Sequence, residues 1–175
     1  MNRVVAAIAA ALEGGTMTTL RYKLFGIGKL PDEMRSAVEK EGVLHVYEGV
    51  PVAYRFSGKL PGLVVTGTNT RSYSGALALT KKRILGTLSV VPNLAGRAID
   101  HEWTAHDAGP LEVTIDQRGV RMEVDLAKVD PEWSGHLALH YELAFSPEEL
   151  AALPAQKFSM GAPHEWVLKL AGVPT

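Results

Sequence analysis

Cysteine is absent from the 175 residues. That removes disulfides, thiolate-held zinc and a cysteine nucleophile at once. Aromatic residues are sparse, at 7%, and the pI is about 6.6. With no recognition-helix pattern either, a sequence-specific nucleic-acid reader is not expected. Long apolar runs are missing too. The stretch Val4 to Leu12 is far short of the roughly 20 residues that a membrane-spanning helix needs. The most informative lack is local. Residues 51–99 contain no Asp or Glu, yet they carry seven basic side chains: Arg55, Lys59, Arg71, Lys81, Lys82, Arg83 and Arg97. The remainder holds 11 basic and 19 acidic residues, although the formal net charge of the whole chain is only −1. A local positive field of this kind attracts anionic partners whatever the total charge.

What is present is ordinary globular material, 46% apolar and 21% charged, enough for one domain with its own core. Three readings of the first residues stand side by side. Val4 to Leu12 behind Arg3 reads as a short alanine-rich helix stopped by Gly14-Gly15, as a signal-peptide apolar region, or as an extension upstream of Met17. A cytoplasmic, membrane-peripheral protein is the expectation, with secretion left open.

Pro31, Asp32 and Glu33 open a helix running to Lys40, and Gly42 follows its end. From Val43 onward β-rich runs dominate. Val43–Tyr47 and Val50–Phe56 form either a hairpin about Glu48-Gly49 or one strand with a bulge. Leu60–Thr66 is a strand closed by turn residues 67–70. Gly75–Thr80 and Ile84–Ser89 form the clearest hairpin, with Leu77 and Leu79 on one face. Ala98–Ala105 is a further strand. Leu111–Ile115 and Val120–Leu126 flank the turn Asp116–Gly119, and their period-two alternation buries one face. A last strand covers Gly135–Phe145. Ser146-Pro147-Glu148-Glu149 is a helix start with a capping box, and Pro163–Ala171 forms a final helix before Gly172. Trp103, Trp133 and Trp166 are expected in the core or along a seam.

Such a run of short antiparallel strands predicts a mainly β fold, a barrel or bent sandwich. The segment Gly75-Ala76-Leu77-Ala78-Leu79-Thr80-Lys81-Lys82-Arg83-Ile84 resembles the G-x-L-x-L-T-N-K-R-L/I hairpin of GRAM and bacterial pleckstrin-homology-like domains. Lys81 stands where that family has Asn. The resemblance implies a PH/GRAM-like β-barrel closed at one end by a C-terminal plug helix, to which Ser146–Leu153 is similar. It also implies that the Lys-Arg pair is often structural, with the arginine packed over the sheet. The expected organisation is an N-terminal helical extension over 1–42, the barrel with its helix over 43–153, and a C-terminal extension over 154–175 packed on the same domain.

For function, the basic hairpin leads. Lys81, Lys82 and Arg83, with Lys59, Arg71 and Arg97 nearby in space, form the expected ligand-binding set for an anionic ligand, a lipid head group or an acidic protein. Each basic residue near an anionic membrane is worth about 1 kcal/mol. The plainer reading is a solvated hairpin tip. No catalytic residue, metal ligand or cofactor is assigned, and homo-oligomerisation stays open. The alternatives are a structural or oligomerisation domain and a small metal-dependent enzyme using His101, His106 or His136. His101-Glu102-Trp103-Thr104-Ala105-His106 has the second histidine one residue beyond the H-E-x-x-H spacing. His136 and His140, on a strand, lie about 13 Å apart along the chain. Gly26-Ile27-Gly28-Lys29 lacks the phosphate-loop spacing.

Overall fold

The computed structural model describes residues 28–89, 95–105 and 108–175. Helix α1 (Asp32–Lys40) precedes strands β1 (Val43–Leu60), β2 (Leu63–Thr80), β3 (Arg83–Ser89), β4 (Ala95–Glu102), β5 (Leu111–Asp116) and β6 (Gly119–Asp125). A single-turn helix α2 (Leu126–Val129), strand β7 (Ser134–Glu142), helix α3 (Pro147–Ala151), strand β8 (Lys157–Met160) and helix α4 (His164–Ala171) complete the chain. All eight strands belong to one antiparallel sheet in the order β4-β3-β2-β1-β7-β6-β5-β8. The sheet curls into a nearly closed barrel, so the mainly β expectation holds.

Alternation along the strands builds two layers of core. The inner faces contribute Val52, Tyr54, Phe56, Leu77, Leu79, Val120, Met122, Leu137, Leu139 and Tyr141, all buried in one cluster. On the outer face of β2 and β3, Ala76, Ala78 and Leu85 form a second cluster with Leu30 and Val38. Alanine at these outward positions leaves room for α1 to lie directly on the strands. Tyr141 crosses the barrel interior and donates from its hydroxyl to the Thr87 carbonyl at 2.9 Å. Gly75 and Gly86 supply the space, because a Cβ on either would stand about 3 Å from the Tyr141 ring or hydroxyl.

Two expectations from the sequence resolve or change. Glu48-Gly49 makes a bulge within one continuous β1, not a hairpin. The bulge frees the Glu48 carboxylate to accept from Leu30 N at 2.9 Å and from Arg35, which ties α1 to the sheet. Residues 67–70 do not end a strand: β2 runs through them with a register shift, Asn69 pairing with Phe56 and Val65 with Gly58. Glycine and threonine there serve a bulge, and the chain continues.

The two ends of the barrel are closed by different helices. Helix α3 follows β7 at the end where β1 starts, with Leu150 and Leu153 in the core and Glu149 within 3.1 Å of the Tyr47 hydroxyl. Helix α4 follows β8 at the opposite end and buries Val167 and Ala171. The segment 154–175 therefore contributes a strand of the sheet and one of the two end closures. No helix among the described residues is long and apolar enough to cross a membrane.

Candidate functional site

Of the six expected ligand-binding residues, the five whose side chains are described do not converge. Lys59 pairs across to Val64 near the β1–β2 tip, while Lys81 follows Thr80 at the other end of the 18-residue β2, roughly 60 Å away along the strand. Arg71 lies on β2 opposite Tyr54, on the inner face, where its guanidinium reaches the Tyr73 hydroxyl at 3.5 Å. Arg97 pairs by its backbone with Thr87 on β3, and its side chain lies outside the described set. Among the described side chains of the set, Lys81, Lys82 and Arg83 share a place.

Within that triplet the charges are largely matched. Arg83 is 15% exposed and clamps two carboxylates. Its Nε donates to Glu41 Oε2 at 3.0 Å and its Nη1 to both Asp100 oxygens at 3.1 and 3.2 Å. Burial pulls the guanidinium pKa down, but the two carboxylates outweigh it and the net shift is upward. Thr80 Oγ1 accepts from the backbone of Lys82 and Arg83 and so fixes the tight turn. Lys82 faces Glu102 at 3.5 Å. Lys81 and Lys82 are exposed. Arg83 thus bolts the end of α1 to β4 across the hairpin.

A different set of cations shares one surface. On the outer face of β1, β7 and β6 the register lines up Arg55, Ala138 and Glu123 in one row, and Ala53, His140 and Arg121 in the next. Two alanines flanked by long side chains leave a depression of about 270 Å³, rimmed also by Arg118 and Glu142. His140 Nε2 lies 2.9 Å from the Arg118 carbonyl. Asp116 Oδ1 accepts from Arg118 N at 2.8 Å, and its other oxygen bonds Arg121. Arg121 Nε is sealed from solvent without a hydrogen-bond partner among the described residues. The side chains of Arg55 and Arg118 carry no hydrogen bond or ion pair to other described residues. Sequence reasoning counted Arg55 but never grouped it with Arg118, Arg121 and His140. Their common feature, outward parity on three neighbouring strands, depends on register.

The histidine set is dispersed. His101 is 6% exposed and packs inside, its ring stacked on Phe158 at 4.6 Å and 7°. His136 is exposed, on the outer face of β7 among alternating buried leucines. His106 lies outside the described residues. Opposite faces of the sheet separate His101 from His136, and no cluster of three metal-capable side chains occurs among the described residues.

The chain matches no family model, no curated protein and no solved structure.

A third feature lies at the seam. The two edge strands, β4 and β8, are not hydrogen-bonded to each other but are bridged by side chains. His101 and Trp103 reach Phe158, and Trp166 of α4 donates its indole N–H to the Ala98 carbonyl at 3.0 Å. Beside this bridge a cleft of about 360 Å³ is lined by Ala98, Ile99, Asp100, His101, Met160, Gly161, Pro163 and Trp166.

Proposed function

We propose that this chain is a non-enzymatic binding module, PH/GRAM-like in architecture, for a ligand carrying phosphate or carboxylate groups. The observation that supports it most directly is the meeting of Arg55, Arg118, Arg121 and His140 around one open depression on the β1-β7-β6 face. Guanidinium groups engage carboxylate and phosphate through two parallel N–H donors. Arg55 and Arg118 have no side-chain partner among the described residues, so a ligand can engage them without breaking a pair between described residues. The alanine floor admits a ligand to the strand surface. Glu123 and Glu142 on the rim limit the field and favour a compact anion over an extended one.

A second reading follows from the exposure of Lys81 and Lys82: the hairpin tip rests on an anionic membrane or an acidic protein. Glu41, Asp100 and Glu102 close around the same turn and offset most of its positive charge. The depression is the better supported surface.

An NMR titration with pyrophosphate tests both. Saturable amide shifts in β1, β6 and β7 are expected, weakening with salt. The double substitution Arg55→Ala with Arg118→Ala is expected to weaken binding by about tenfold or more, the scale of one lost charge-assisted contact. Lys81→Ala with Lys82→Ala leaves the affinity unchanged. Shifts confined to residues 80–83, or binding to phosphatidylserine vesicles that only the lysine pair abolishes, would overturn the depression in favour of the hairpin.

A further inference from the structure

The seam cleft presents a combination that the anion site does not use. His101 is 94% removed from solvent, yet its imidazole makes no hydrogen bond with any described residue; its recorded contact is the flat stack on Phe158. A buried polar group without a protein partner is costly unless solvent or a ligand reaches it. Neither ring nitrogen is sealed, since the buried side-chain atoms lacking a partner among the described residues are Ser74 Oγ and Arg121 Nε alone. His101 is one of the residues that line the cleft.

Apart from Asp100, the remaining walls are apolar. Ile99 and Ala98 come from β4, Met160 and Gly161 from the end of β8, and Pro163 and Trp166 from the start of α4. The volume, about 360 Å³, lies in the range of small-molecule sites, which typically combine an apolar wall with a few placed polar groups. Trp166 is held by its bond to the Ala98 carbonyl, and His101 is oriented by Phe158, so both are preorganised. Asp100, the one acidic wall residue, is engaged by Arg83.

We infer that the cleft between β4, β8 and α4 binds a small planar aromatic molecule bearing one hydroxyl group, the ring against Trp166 and Met160 and the hydroxyl on His101. A neutral imidazole offers one donor and one acceptor, which matches a hydroxyl. The inference stands apart from the anion site, with which the cleft shares no lining residue.

The probe is 4-methylphenol, with toluene as the molecule lacking the hydroxyl. Chemical shifts of the Met160 methyl and the His101 ring protons are followed during titration. Saturable binding in the millimolar range is expected for 4-methylphenol, as befits a ligand of few heavy atoms, with toluene weaker by about fivefold, one hydrogen bond's worth. His101→Phe keeps the aromatic stack and should erase that difference. Gly161→Leu gives an independent test. An added Cβ at Gly161 meets nothing within 4 Å, so the fold should tolerate the substitution, and a leucine on this cleft-lining residue is expected to abolish binding of both probes. Absence of saturable shifts, equal binding of the two probes by the native chain, or binding that survives Gly161→Leu would each overturn the inference.

Discussion

At the scale of single residues, Arg83 explains why the densest basic point of the chain is not its most available one. Its guanidinium satisfies Glu41 on one side and Asp100 on the other. Replacing it by Met keeps the stem but removes the cation that Glu41 and Asp100 share. Breaking a fully buried pair costs 3–5 kcal/mol, and exposed pairs cost far less. The intermediate exposure here, 15% for Arg83 against 16% and 28% for its partners, sets the expected loss at about 2 kcal/mol. Urea denaturation measures it. Lys81→Ala and Lys82→Ala, at exposed positions, should each stay within about 0.5 kcal/mol; equal losses at all three would show that Arg83 is no clamp. Gly58 and Gly135 make a second point at this scale. They face each other across β1 and β7 with φ of 123° and 96°, and a Cβ on Gly135 would stand 1.9 Å from the Ser57 carbonyl oxygen. Gly135→Ala therefore adds backbone strain to a clash with backbone. A loss above about 2 kcal/mol, or failure to fold, is expected, read by the same denaturation or by expression in soluble form.

Among elements, those written by local chemistry were legible and those written by long-range pairing were not. Ser146-Pro147-Glu148-Glu149 specifies α3 by itself: Ser146 Oγ accepts from Glu149 N at 3.1 Å and Glu149 accepts from Ser146 N at 2.7 Å. The β2–β3 and β5–β6 hairpins were equally readable from alternation and turn residues. Strand β8 escaped, because Lys157–Met160 is four residues long and exists only through its pairing with β5. The continuous β2 was hidden by glycine and threonine that mark a bulge as readily as a turn. The arginine depression was illegible for the same reason as β8, since Arg55, His140 and Arg121 meet only through register on three strands. The α3 cap carries a prediction of its own. The Glu149 pKa is held below its ordinary value, first by the Ser146 backbone N–H, then by the Tyr47 hydroxyl and His45. A carboxylate depressed on folding contributes stability that is present above its unfolded pKa, near 4.3. That stability is lost as pH falls through the lower folded value. Glu149→Gln should flatten the acid limb of the stability curve below about pH 5, and Ser146→Ala should lower stability by about 1 kcal/mol at neutral pH. An unchanged acid limb in Glu149→Gln would remove the cap from the account.

For the whole molecule, the barrel's closure depends on aromatic rings at both ends and across the middle, and three of its tyrosines report on it. The pKa values of Tyr47 and Tyr54 are both pushed up to about 12, chiefly by burial, with Glu149 adding at Tyr47 and Tyr73 at Tyr54. Burial raises Tyr141 further still. Folding therefore favours the neutral phenol at three places: the α3 end, the β1–β2 wall and the barrel axis. A group whose pKa rises on folding stabilises fully below its unfolded value, near 10 for tyrosine, and that contribution disappears as pH climbs through the folded value. The barrel should accordingly hold its stability up to about pH 10 and then lose it cooperatively, with tyrosinate absorbance at 295 nm rising together with loss of the β-sheet circular dichroism. Tyr141→Phe separates the terms. It removes the most protected phenol, so the alkaline limb becomes shallower. It also leaves the Thr87 carbonyl without its donor, at about 1–2 kcal/mol near neutrality. Tyr47→Phe loses the Glu149 contact and flattens the acid and alkaline limbs together, which no variant confined to the barrel axis does. Tyrosinate formation at pH 10 with the sheet intact would mean that these rings ionise inside a folded barrel, and closure would then rest on aliphatic packing instead.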